Sequence, residues 1–299
     1  MTEISYSVTQ TSFLSKNTRC RGDLYLPGDI PKPPIIIMAH GFAAERSFGL
    51  KPYAERFVQN GLAVMTFDYR CFGDSEGSPR NLVDPFRHIE DWKAAVAHAR
   101  GLEAVDGNRI GLWGSSFSGG HVIVTAARDP DISAISIQVP FVDSISTISK
   151  LGLKFLFKAS IHGMRDLFRI MTLRKPHYIR VIGRPNEFAA MNTPESYPGY
   201  SALIPKDSKW ENRCPARILL TFALYRPIAS AKKVKCPALV ILAEKDSLIS
   251  AKAVEKTAMA IENSELVKYP AGHFDLYAGQ LFEDAVKRQV EFFQGYLNT

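Results

Sequence analysis

No stretch of the 299 residues reaches the eighteen or more uninterrupted apolar positions of a membrane span, so a transmembrane helix is excluded. The opening MTEISYSVTQ lacks the basic start and apolar core of a signal peptide, and the expectation is a cytoplasmic protein. Cysteine is scarce. Cys20, Cys71, Cys214 and Cys236 are scattered with neither a CxxC nor a Cys/His spacing, which argues against a metal centre or redox pair and for buried, inert thiols. Internal repeats, low-complexity segments and nucleic-acid-binding motifs are missing too. No cofactor, no metal and no nucleic-acid partner are therefore expected.

What is present reads as an ordinary globular chain, 46% hydrophobic and 22% charged. At this length folding buries roughly three-quarters of the chain's surface, so a large core is available. The net charge of +7 is local rather than global. Between Lys150 and Arg184 nine basic residues face a single acid, Asp166, and the rest of the chain is near neutral.

Along the first half, short apolar runs alternate with amphipathic ones. ISYSVTQ and RCRGDLYLPG alternate with period two and predict an antiparallel edge hairpin. Strands are expected at 33–41, 63–70, 109–114 and 132–140, and helices at 48–60, at 84–102 and directly after Ser116. Regularity lapses between Phe141 and Val234, apart from one long amphipathic stretch at 145–171. It returns with a strand at 237–246, a helix at 250–262, a strand at 264–270 and a helix at 281–297. Repeated strand–helix–strand units call for an α/β fold, a doubly wound, mostly parallel sheet covered on both faces. The expected division is a core from 1–141 and 233–299 with a mainly helical cap, 142–232, inserted into it.

The segment GLWGSSFSGG places three serines after an apolar strand. A serine hydroxyl becomes a useful nucleophile only when a base takes its proton and its backbone presents it, as in a strained strand-to-helix turn. Such a turn crowds the positions two before, two after and three after the nucleophile. For Ser115 these are Trp113, Phe117 and Ser118, and for Ser118 they include His121, so both fail. For Ser116 they are Gly114, Ser118 and Gly119, all small. Ser116 is the expected nucleophile, although the pentad ends in serine where G-x-S-x-G has glycine.

An acid should follow a later strand and a histidine should come after it. PALVILAEKD supplies Glu244 and Asp246; Asp246, farther into the turn, is preferred. YPAGHFDLY supplies His273, 27 residues on. Of the other six histidines, His40 borders a turn glycine, His88 and His98 fall on a helix surface pattern, and His121 lies on the nucleophile helix. His162 and His177 belong to the cap. The backbone N–H groups of Phe117, at a helix start, and Phe42, after His40-Gly41, are the expected oxyanion donors.

On these residues the chain resembles the α/β-hydrolase superfamily: HGF after the first buried strand, FDYRCFGDSEG, RIGLWGSSFSGG, ILAEKD and AGHF. The G-x-S-x-S-G-G form and NEFAAMNTPES are similar to the polyketide-transferase and thiohydrolase group, which is related to X-Pro dipeptidyl-peptidase-like hydrolases. Where that pattern has D-Y-R-G-F-G, Cys71 replaces the middle glycine, which reads as a packing change with a thiol close to the site mouth. The resemblance implies a serine hydrolase of the carboxylesterase or thioesterase type, cleaving an ester, thioester or small amide through an acyl-enzyme. An acyltransferase would use the same covalent step. A peptidase is disfavoured by the want of an identifiable ammonium-binding acid, and a non-catalytic binding protein by the complete triad.

The expected partner is a small acyl substrate. In the cap, Ile148, Leu151, Phe155, Leu156, Ile161, Met164, Phe168 and Met171 recur at helical spacing, with Lys150, Lys154 and Lys158 beside them. They read either as a lid helix with one core face and one solvated face, or as an acyl pocket whose basic side recruits an anionic group. Phe155, Met164 and Phe168 are the candidate substrate contacts.

Overall fold

The computed structural model describes residues 4–28 and 30–298; residues 1–3, 29 and 299 of the expected core lie outside the described residues. The edge hairpin is formed by β1 (Tyr6–Ser15) and β2 (Thr18–Pro27), antiparallel throughout. The alternation that follows is β3 (Pro34–Ala39), α1 (Leu50–Gln59), β4 (Ala63–Phe67), α2 (Pro85–Arg100), β5 (Asp106–Ser115), α3 (Phe117–Ala126) and β6 (Ala134–Gln138). An irregular segment contains α4 (Ser144–Ile148), α5 (Leu153–Met171), β7 (Tyr178–Ile182), β8 (Ala189–Met191), α6 (Ser196–Leu203), β9 (Cys214–Pro215) and α7 (Ile218–Thr221). The alternation closes with β10 (Ala238–Ala243), α8 (Ala251–Ala260), β11 (Ser264–Tyr269) and α9 (Gly279–Leu297).

Eight strands make one sheet in the order β1-β2-β4-β3-β5-β6-β10-β11. From β4 to β11 every pairing is parallel, and only β1–β2 and β2–β4 are antiparallel. This is the mostly parallel α/β fold expected. In β3, Ile35, Ile37 and Ala39 join a core with Trp92 of α2 and Val122 of α3, whereas Ile36 and Met38 meet Tyr53 and Phe57 of α1 and Phe293 of α9. A strand covered on both faces has no polar side, which is why PIIIMA is apolar without interruption. Among the described residues no helix is long and apolar enough to cross a membrane.

β6 and β10 are neighbours in the sheet although residues 139–237 lie between them. That insertion is mainly helical, and β7, β8 and β9 add a small second sheet to it. The single amphipathic stretch predicted over 145–171 is two helices, with Gly152 in extended backbone as the N-cap of the second. The surface pattern assigned to α2 also needs correction. His88 is buried and stacked on Tyr69 at 4.0 Å between ring centroids, while the apolar Phe86, two residues before it, is half-exposed. α2 lies across α3 as well as the sheet, so more of its circumference is covered than one stripe predicts.

All four cysteines are unpaired and buried, and burial pushes each thiol's pKa up. Cys71 stands at φ 75°, a backbone region in which glycine is at ease and a side chain is not. It is only 1% exposed, so its thiol is sealed in the packing rather than available at the site mouth.

Candidate active site

β5 ends at Ser115 and α3 begins at Phe117, leaving Ser116 between them at φ 55° and ψ −122°. A Cβ on Gly114 would lie 2.7 Å from the carbonyl oxygen of Ser118, and one on Gly119 2.8 Å from Cβ of Pro140. The turn is thus as crowded as the sequence rule supposes. Gly120 is tighter still, since an added Cβ would sit 2.3 Å from the carbonyl oxygen of Phe141. Gly120→Ala should destabilise the protein by about 1–3 kcal/mol, the cost of forcing atoms into a packed interior. Urea unfolding of the purified variant measures it.

Serine is tolerated at 118 because its hydroxyl has a partner. Ser118 Oγ is 3.0 Å from the hydroxyl of Tyr69, which also accepts a hydrogen bond from Trp92 Nε1. Ser115, the rejected neighbour, is engaged with the hydroxyl of Tyr277 at 2.5 Å.

His273 brings the remote parts together. Its Nε2 is 3.0 Å from Ser116 Oγ, and its Nδ1 is 2.6 Å from Asp246 Oδ2. The other carboxylate oxygen of Asp246 accepts from the N–H groups of Leu248 and Ile249 at 2.7 and 2.8 Å. Burial raises the cost of this charge, but the imidazole of His273 and the two N–H donors outweigh it and hold the carboxyl below its ordinary pKa. Glu244 is exposed at the end of β10 and takes no part. Gly41 lies against Ser116, where a Cβ would come within 3.3 Å of the serine Cβ. Phe42 and Phe117 flank the hydroxyl, and no protein acceptor among the described residues takes their N–H groups.

An apolar cavity of about 150 Å³ opens beside Ser116. It is lined by Phe42, Phe117 and Phe141 from the sheet edge, by Ile148, Leu151, Phe155 and Leu156 from α4, α5 and their connection, and by Phe222 and Leu248. Phe155, one of the candidate substrate contacts, is among these. Met164 and Phe168 are not, because both face solvent on the outer side of α5. No basic side chain lines the cavity, and Lys150, Lys154 and Lys158 are exposed, so a pocket with a cationic wall is not what the fold builds. A second cavity of about 30 Å³ lies on the His273 side of Ser116, bounded by Gly41, Phe48, Tyr200, Phe274 and Tyr277. Among the described residues no group of three or more His, Cys, Asp or Glu is placed to hold a metal ion.

One contributor escaped the sequence reading. Glu195, just before α6, accepts hydrogen bonds from Ser247 N at 2.6 Å and Ser247 Oγ at 2.5 Å on one oxygen, and from His273 N at 2.7 Å on the other. A single carboxylate from the insertion therefore ties the loop of Asp246 to the loop of His273. NEFAAMNTPES contains this residue, but nothing local in that string distinguishes it from a solvated loop acid. Misplacing a catalytic group by about 1 Å can cost a hundredfold. Glu195→Gln, which sets an amide against N–H donors, should lower kcat by up to about that factor with KM little changed, measured by steady-state kinetics.

Three buried histidines, His40, His88 and His121, pack around the ring of Tyr69. Nδ1 of His121 is 2.6 Å from the hydroxyl of Tyr225, and its Nε2 is 3.3 Å from Nδ1 of His88. Burial lowers His40 to about 4 and His121 to about 3, and His88 well below the ordinary value of 6.5. An unfolded chain takes up these protons near pH 6.5, whereas the folded protein does not until far lower pH. Their stabilising contribution is therefore complete above about pH 7 and is lost as pH falls from 6.5 towards 4, at up to about 4 kcal/mol per pH unit for three sites. Urea unfolding at a series of pH values should show this slope, reduced by about one third in His88→Phe.

The profile of the family described as serine aminopeptidase, S33, matches residues 31–276, a span containing Ser116, Asp246 and His273. The quorum-quenching protein AidA of Acinetobacter baumannii (strain MDR-ZJ06) is 38% identical over 280 residues, covering 94% of this chain and 92% of that protein. Thiohydrolase aneE of Aspergillus aculeatus (strain ATCC 16872 / CBS 172.66 / WB 5094) is 40% identical over 126 residues, 42% of this chain and 39% of that one. The solved structure of DcsB in complex with its substrate analogue is similar in fold, with a TM-score of 0.87 over 99% of this chain and 100% of that chain at 24% identity. The resemblance drawn from the motifs, to α/β hydrolases and thiohydrolases, is thereby borne out.

Proposed function

The chain belongs to the serine aminopeptidase S33 family of α/β hydrolases, and from that membership we propose that it is a serine acyl hydrolase cleaving an ester or thioester through Ser116, His273 and Asp246. The observation that carries this reading is the continuous pair of contacts from Ser116 Oγ through both nitrogens of His273 to Asp246. His273 takes the serine proton as Oγ attacks the acyl carbon, then returns it to the leaving oxygen or sulfur. Asp246 fixes the tautomer and stabilises the imidazolium that forms. The N–H groups of Phe42 and Phe117 receive the oxyanion, the latter at the positive end of α3. In the second half, water attacks the acyl-enzyme with His273 again as base.

The cavity supports an apolar acyl group of modest size, since a site of about 150 Å³ suits a small ring or short chain. The smaller cavity beside His273 is sized for a water molecule rather than a bulky acceptor, which favours hydrolysis over acyl transfer. Neither cavity presents a carboxylate, so an amino-terminal ammonium has no partner there and peptidase action is the weaker reading. In this account residues 142–232 cap a core made of 1–141 and 233–299. A screen of p-nitrophenyl esters, acyl thioesters and aminoacyl amides, with Ser116→Ala as control, tests it. Turnover of esters or thioesters that vanishes in the variant is expected; turnover of amides alone, or turnover unaffected by the variant, contradicts it.

A further inference from the structure

α5 is apolar on two sides. Phe155, Leu156 and Ala159 line the cavity beside Ser116. On the outer side Leu153, Phe157, Ile161, Met164, Phe168 and Met171 recur every three or four residues and stand in solvent, with Leu153 85%, Phe157 69% and Met171 76% exposed. At 1.5 Å per residue the stripe runs nearly the full length of a helix of about 28 Å. Single exposed apolar residues are normal, but a contiguous stripe marks a surface that something covers.

A second row identifies the covering chemistry. Lys154, Lys158, Arg165 and Arg169 each follow a stripe residue by one position, so they flank the stripe about 100° around the helix. Lys150, Arg174 and Lys175 add positive charge at the two ends. The one acid on the helix, Asp166, points the other way; it is buried and engaged by the guanidinium of Arg217 at 2.7 Å. Among the described residues none of these seven cations forms an ion pair, so their charge is not spent within the protein.

We propose that α5 docks lengthwise on an anionic lipid bilayer, its apolar stripe sunk to the acyl boundary and its cationic row against the headgroups. An exposed apolar face bordered by lysine and arginine is the signature of a helix that lies in the membrane interface rather than across it. Charge selects lipid over a second copy of this chain, because self-association would set one cationic row against another. The proposal does not rest on the hydrolase reading, since none of the docking residues belongs to the triad.

The test is co-sedimentation of the full chain with phosphatidylcholine vesicles, with and without phosphatidylglycerol. Binding is expected to the anionic vesicles and to weaken as salt rises. Reversing three charges (Lys154→Glu, Lys158→Glu, Arg165→Glu) should weaken it by at least about a hundredfold, at about 1 kcal/mol for each basic residue near a charged surface. Phe157→Gln with Ile161→Gln and Met171→Gln should also release the protein, while unfolding in urea and hydrolysis of a soluble short-chain ester stay near the parent's. Ser116→Ala should bind as the parent does, which separates this inference from the catalytic one. Failure to bind anionic vesicles, binding indifferent to both sets of substitutions, or a solution dimer that the glutamine variant converts to monomer would overturn it.

Discussion

Ser116→Ala is expected to lower kcat for a good ester substrate by about 10⁶-fold, and His273→Ala by a similar factor. In the proposed mechanism the two side chains act as one unit, because the hydroxyl is inert without a base and the base has no task without the hydroxyl. The double variant should therefore be no slower than either single one. Additive losses would mean that the 3.0 Å contact between Nε2 and Oγ is incidental to the reaction. KM should move little in all three, since the apolar cavity proposed for the acyl group is unchanged. Single-turnover kinetics on a chromogenic ester make the comparison.

The second large effect belongs to Asp246. Asp246→Asn keeps the shape but supplies an amide that can leave the imidazole in the wrong tautomer, and a loss of about 10⁴ in kcat is expected. Its pH behaviour has a definite sign. The carboxyl is held below its ordinary pKa by His273 and the N–H groups of Leu248 and Ile249 despite its burial. It therefore stays charged through neutral and mildly acid pH, and its contribution to stability is lost only as pH falls through that lowered value. A fall in kcat/KM near neutrality must then come from another group, which a pH–rate profile of the parent and of Glu195→Gln can examine.

Much of this was legible in the sequence for identifiable reasons. Strands buried on both faces are apolar runs, so β3 and β10 declare themselves, and the turn at Ser116 declares itself because steric crowding admits few residues. That Ser116, Asp246 and His273 meet could be read from chain order, since the sheet sets all three loops along one edge. The failures are equally physical. α5 presents apolar residues to a cavity and to solvent alike, so periodicity could not say that Phe155 faces inward while Met164 and Phe168 face out. His88 looked like a surface residue because a polar name on a helix carries no record of a second helix lying across it. Glu195 was invisible because its partners are 52 and 78 residues away in the chain.

The most direct test of the catalytic reading is mass-spectrometric mapping of a fluorophosphonate adduct on the intact protein. Such a probe reacts with a serine only where a base activates it. The expected result is one adduct, on the peptide carrying Ser116, absent in Ser116→Ala and in His273→Ala. An adduct on Ser115, Ser118 or any other serine, or none on a folded protein, would contradict it.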